Sequence, residues 1–383
     1  MSEYQYYEFY ALDQPLTSEA QAEMRRLSSR VQLTATSASF VYNYGDFRGN
    51  PFAVLADYFD AMLYITNWGT RQLMFRFPAT LIPTHVMEDY QFADSIEWSS
   101  EGEYAILNIQ LNEEAGGEWV DGTGMLSRIA PVRNDVLRGD YRALYLAWLM
   151  LAEYELGLLE DDEDLTEPPV PPDLHALTPA LHGFLEFFEI DPDLVAAAAE
   201  TSTKAEHTIE ELAPLLDRLS GSEKQAFLVR LLSGEPHLDV ILARRLRELS
   251  GARTDQTPLG ERRTIRHIVA ASKHVRKQRL EIEQQQREAA HLKKLELIGQ
   301  HEAQLWAKIP GLIDQRRADT YDEAVSILSD LRSLAVHQQR TTEFHTRLGS
   351  FAVSIRPYVA FTPASRKQDS FRAMDSVNYE SSP

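Results

Sequence analysis

The stretch GLLEDDEDLTEPPVPPD at residues 157–173 most constrains what this chain can fold into. Its acidic run repels itself, and its four prolines donate no backbone hydrogen bonds, so neither a regular helix nor an interior strand is expected to pass through it. Two different kinds of sequence lie on either side. Upstream, strand-like and helix-like segments alternate. Residues 4–12 and 31–44 have strand composition, rich in aromatic, Thr and Val residues. Ser18 with Gln21 forms an S-x-x-Q capping-box pattern at a helix start, and Asn50 followed by Pro51 reads as N-cap and N1 of a helix running to about Tyr64. Residues 72–77 read as a strand ending at Pro78, and two further strands flank the turn Ser100-Glu101-Gly102. A long apolar helix is expected over 134–158. Interspersed helices and close strand pairs point to an α+β sandwich-like domain at 1–159. The linker is expected at 160–173.

Downstream, strand signals fade, and the expectation is an all-α helical region with one long helix. Short helices separated by Pro, Gly or Ser fill 174–259. From 260 to 361 a long basic helix and a C-terminal helical hairpin follow, and residues 362–383 read as a disordered tail. On the hairpin, Tyr321, Ala324, Val325, Leu328, Leu331 and Leu334 form one apolar stripe. On the long helix, Ile268, Val275, Ile282 and Ala289 recur every seven residues, while the complementary heptad positions are polar. Half a coiled-coil seam is too narrow for a stable isolated dimer, but it is a candidate partner-helix stripe.

Composition narrows the chemistry. Hydrophobic residues make up 44% of the 383, enough to bury a real core, and there is no cysteine. Disulfides, thiolate zinc sites, iron–sulfur clusters and cysteine nucleophiles are therefore excluded. No leader-like start and no run long enough to span a bilayer are evident, so the expected location is the cytoplasm and no membrane partner is expected. The net charge of −20 is unevenly spread. Residues 1–170 contain no lysine and many acids, whereas 262–294 hold ten Lys or Arg against three acids. An acidic body repels nucleic acid; a basic helix attracts an anionic partner.

Catalytic motifs are missing. Gly116-Gly117 and Gly122-x-Gly124 lack the lysine of a phosphate loop, no G-x-S-x-G elbow occurs, and His301-Glu302 is followed by Leu305 where a zinc motif needs histidine. His267 and His274 sit seven apart without a carboxylate ligand, so no metal and no cofactor is expected. Two surfaces stand out instead. The loops carrying Tyr44, Asp46 and Arg48, and Trp68 and Arg71, read either as walls and guanidinium forks of a ligand pocket or as aromatic packing over a sheet end. Asp46 and Asp60 are the nearby bases. Arg262, Arg263, Arg266, Lys273, Arg276, Lys277 and Arg279 read either as a nucleic-acid surface or as a solvated helix face that docks on a partner, the last helix or the acidic domain. That segment has no aromatic side chain to stack bases.

Two stretches carry a resemblance. YEFYALDQPLT, LSSRVQLTATS, YNYGDFRGNP, YFDAMLY and NWGTRQLMFRFP, across roughly residues 7–78, resemble an uncharacterised bacterial protein family, which implies no activity. WAKIPGLIDQRRADTYDEAVSILSDLRSLAVHQQRTTEFHTRLGSF, at 306–351, is similar to a helical region near the C-terminus of bacterial SWIM zinc-finger proteins. The resemblance implies a shared helical interaction module. The finger's cysteines are absent here, so metal binding does not carry over. The combined expectation is a non-catalytic accessory subunit that binds protein partners through helical surfaces, with nucleic-acid association and a small-molecule site as the alternatives.

Overall fold

The computed structural model describes residues 3–112, 121–157, 164–204, 212–250 and 262–355. Gly116-Gly117, residues 160–163 of the expected linker and the tail from 362 lie outside these. The strand QYYEFY, β1 (Gln5–Tyr10), organises the first half of the chain. It pairs antiparallel with β3 (Ser37–Tyr42) on one side and β4 (Ala61–Thr66) on the other, placing Gln5 opposite Tyr42 and Thr66. With β2 (Gln32–Leu33), β5 (Thr70–Pro78), β6 (Ile96–Glu101) and β7 (Tyr104–Asn112), the sheet runs β2-β3-β1-β4-β5-β7-β6 and is antiparallel throughout.

Both faces are covered, which is why the inner strands are apolar on alternate and intervening positions alike. Tyr7, Phe9, Phe40, Met62 and Met74 face α1 (Ser18–Leu27) and α2 (Pro51–Tyr58). Tyr6, Leu63, Ile65, Leu73, Phe75, Phe77, Leu107 and Ile109 face a helical layer. That layer holds α4 (Met125–Ile129), α5 (Pro131–Leu137), α6 (Arg142–Leu156), α7 (Pro179–Phe188) and α8 (Pro192–Ala199); the short α3 (Thr84–Asp89) lies between β5 and β6 in the chain. Every residue of α6 from Arg142 to Ala152 is buried, as expected for a helix apolar all round.

Local chemistry sets several boundaries. The α1 cap is Thr17, one residue before the expected Ser18: its hydroxyl accepts from Ala20 N, and Gln21 Nε2 donates to Leu16 O. Asn50 caps α2 as expected, accepting from Phe52 N at 2.9 Å. That helix ends at Tyr58 rather than Tyr64, because the β-favouring AMLYIT that follows joins the sheet beside β1. The helix expected over 134–158 is two helices, broken at Gly139 with φ 90. Gly122, with φ +74, is the tightest glycine: an added Cβ would lie 2.7 Å from the Tyr6 ring and 2.8 Å from Ile65.

The helical region is present and contains the expected long helix. A small satellite core of Leu212, Leu219 and Leu246 joins α9 (Gly221–Leu232) to α10 (Leu238–Ser250). The long helix α11 spans Ile265–Gln300 and is followed by α12 (Glu302–Asp314), α13 (Ala318–His337) and α14 (Thr341–Ile355). The expected hairpin stripe is buried at Ala324, Leu328, Leu331 and Leu334, while Val325 is exposed. Compact units divide between Gln278 and Arg279, inside α11, not at the proline stretch. The first unit's core runs from Tyr4 to Ile268 and includes residues on both sides of that stretch. Pro169 O accepts from Tyr90 Oη at 2.7 Å, Val170 packs on the core, and Thr166 bridges Thr264 in antiparallel fashion. Glu167, Pro168 and Pro171 are thus buried against the body, while Asp164, Thr166 and Pro172 remain exposed.

Candidate functional site

The two aromatic loops share one end of the sheet but do not assemble a pocket. Gln5 Nε2 donates to Asp46 Oδ1 (3.1 Å) and Gly45 O (3.3 Å), tying the first loop to β1. Its Phe47 inserts into the core beneath α1 and α2, leaving Tyr44 and Arg48 exposed. Arg71 lies on the other face of the sheet, where it is 2% exposed and pairs with Glu189 after α7. Arg48 and Arg71 therefore belong to opposite faces, and Trp68 sits in the intervening β4–β5 turn. The facing guanidinium pair is not formed. Asp60, the second base considered, lies at the far end of β4 and is buried in an ion cluster of its own.

The basic helix is used more by the fold than expected. Arg263 donates from Nε and Nη2 to the two oxygens of Glu167, each at 2.9 Å, and Nη1 reaches Ala197 O while Nη2 also reaches Ala198 O. Glu167 also accepts from Tyr145 Oη at 2.8 Å. Burial pushes the Glu167 carboxyl up, but the Arg263 and Tyr145 hydrogen bonds outweigh it and hold it below the ordinary range. Arg276 pairs with Asp191 and Asp193 at the start of α8. Arg279 pairs with Glu283 along the helix. Arg266 N donates to Asp164 Oδ1. Arg262, Lys273 and Lys277 are exposed, so the seven cations do not form one continuous free stripe. His267 and His274 are also exposed, with Gln278 Nε2 2.8 Å from His274 Nε2.

The heptad stripe splits in two. Ile268 is fully buried and Val275 packs on the first core. Ile282, 53% exposed, and Ala289 lie on water. From Lys277 to Lys294 every residue is exposed except the half-buried Glu283, although Leu280 and Leu292 are among them. Burial resumes at Leu295 and Ile298, which join Trp306, Ile309, Leu328 and Phe344 in the second unit's core.

A polar constellation that no motif announced lies at the other end of the sheet. Asp60, 1% exposed, accepts from Leu12 N and Asp13 N through Oδ2 and from Arg76 Nη2 through Oδ1 at 2.9 Å. Arg133, completely buried, forks onto Asp13 at 2.8 and 2.7 Å and donates to Arg76 O at 2.6 Å. Asp13 Oδ2 also meets His237 Nε2 at 3.0 Å. Burial raises the Asp13 carboxyl, yet the bonds from His237 and Arg133, with the Arg133 charge, hold it well below the usual carboxylate range. Arg133 in α5 and His237 before α10 are distant from Asp13 in sequence, so no local spacing could have grouped them.

No family model, no curated protein and no solved structure matches this chain.

Proposed function

We propose that this chain is a non-catalytic interaction subunit that binds a protein partner through the exposed section of α11. The observation that carries the reading is the run 277–294, about five turns of helix, where Ile282, Ala289 and Leu292 share one side of the helix and are exposed among the described residues. Isolated helices are marginal in water, and a partner covering this face gains about 1 kcal/mol for each half-exposed Leu or Ile it buries. The salt-bridged Arg279, Glu283 and Arg287 beside these residues supply the polar rim of such a contact.

Nucleic-acid binding by the same helix is weakened by the intramolecular pairs of Arg263 and Arg276. Affinity purification of the full chain from nuclease-treated lysate, wild type beside the Ile282→Glu/Leu292→Glu variant, tests the proposal. A partner that survives nuclease and is lost with the double variant is expected. Partners that disappear with nuclease, or that ignore the two substitutions, contradict it.

A further inference from the structure

The Asp13–His237 pair closes the inner end of a cleft of about 270 Å³ between α5 and the start of α10. Three features of this cleft specify a ligand. First, its inner end carries an ionised carboxylate: His237 Nε2 lies 3.0 Å from Asp13 Oδ2 and donates to it. Asp13 Oδ2 already receives His237 and Arg133, while Oδ1 receives Arg133 alone and keeps a lone pair open. The Asp13 and His237 side chains are 21% and 11% exposed, so this end is well shielded from water. His237 has φ 57, a left-handed conformation uncommon outside glycine that fixes the ring beside Asp13.

Second, the outer end offers a guanidinium. Arg138 and Asp239 pair at 3.1 Å, with side chains 58% and 62% exposed, so the pair is screened by water and cheaply opened. A ligand carboxylate takes the place of Asp239 on the Arg138 fork, with the Asn134 amide beside it as a further donor. Third, the cleft is small and has an apolar wall at Val240. Its volume lies just below the range of drug-sized pockets, which fits a compact ligand. No hydroxyl or thiol nucleophile is among the described residues that line it, so its chemistry is recognition rather than acyl transfer.

We propose that this cleft binds a small zwitterion of the α-amino acid class, its ammonium held by Asp13 and its carboxylate by Arg138. Isothermal titration calorimetry of the full chain with each of the twenty standard amino acids tests this. At least one is expected to bind with unit stoichiometry. Its N-acetyl and its amide derivatives, which each lose one charge, are expected to bind at least about tenfold more weakly. Arg138→Gln, at an exposed position that spares the fold, should weaken binding by a similar factor, and Asp239→Asn should leave it intact or tighten it by removing a competitor for Arg138. Failure of all twenty to bind at millimolar concentration would overturn the proposal. So would binding that is indifferent to Arg138→Gln and to blocking of either charge.

Discussion

Replacing Arg263 with alanine is the sharpest perturbation of the packed proline stretch. Arg263 holds both oxygens of Glu167, which is 3% exposed, and also reaches the carbonyls of Ala197 and Ala198 at the end of α8. Removing one partner of such a pair strands a buried charge, which costs about 3–5 kcal/mol. With a urea slope of about 3 kcal/mol/M, the unfolding midpoint should fall by roughly 1–1.7 M. A Trp306→Phe background leaves all remaining tryptophans before Gln278, so fluorescence then reports the first unit alone. Lys273→Ala, at an exposed position of α11, should change stability by less than about 0.5 kcal/mol. The double replacement Glu167→Met/Arg263→Met should recover most of the loss, since well-packed apolar side chains substitute for a buried ion pair. If Arg263→Ala costs no more than Lys273→Ala, then Arg263 is not a fold element and the packing of residues 164–173 has been misjudged.

Three further outcomes follow from the same physics. Gly122→Ala meets both a positive φ and ring carbons 2.7 Å away, so a loss of about 2–4 kcal/mol is expected in thermal or urea unfolding. Burial raises the Glu8 carboxyl, and its Oε2 has no hydrogen-bond partner; its folded pKa therefore exceeds the unfolded value of about 4.3, and stability falls as pH rises from there through the folded pKa. Glu8→Gln should flatten that fall and raise the melting temperature at neutral pH relative to wild type. Asp13 has the opposite sign: its contribution is present above about pH 3.9 and is lost as pH drops toward its lower folded value, so Asp13→Asn should show a shallower acid limb in unfolding between about pH 4 and 2.

Elements governed by local chemistry were legible from sequence. Asn50-Pro51 announces the α2 start, and the hairpin around Gly102 needs its positive φ; of the seven-residue stripe, Ile268 and Val275 pack in the chain's own first core. Tertiary contacts overrode local signals elsewhere. The proline-rich segment carries every mark of a solvated linker, yet Tyr90, Tyr145 and Arg263 satisfy its polar groups from distant positions. The same holds for the sites. Arg48 and Arg71 fall on similar loops, but the strand pleat and the loop's Phe47 send them to opposite faces. Asp13 and His237 meet across 224 residues, a pairing that only the closed fold reveals.

The central claim, that the exposed run of α11 is covered by a protein partner, is tested most directly by a photo-crosslinking amino acid placed at Ile282 in the full chain within the cells that express it. Val41, an exposed apolar residue of the sheet domain, serves as the comparison position. The account predicts a discrete protein adduct at Ile282, resistant to nuclease and absent at Val41. No adduct at Ile282, or the same adducts from both positions, would contradict it.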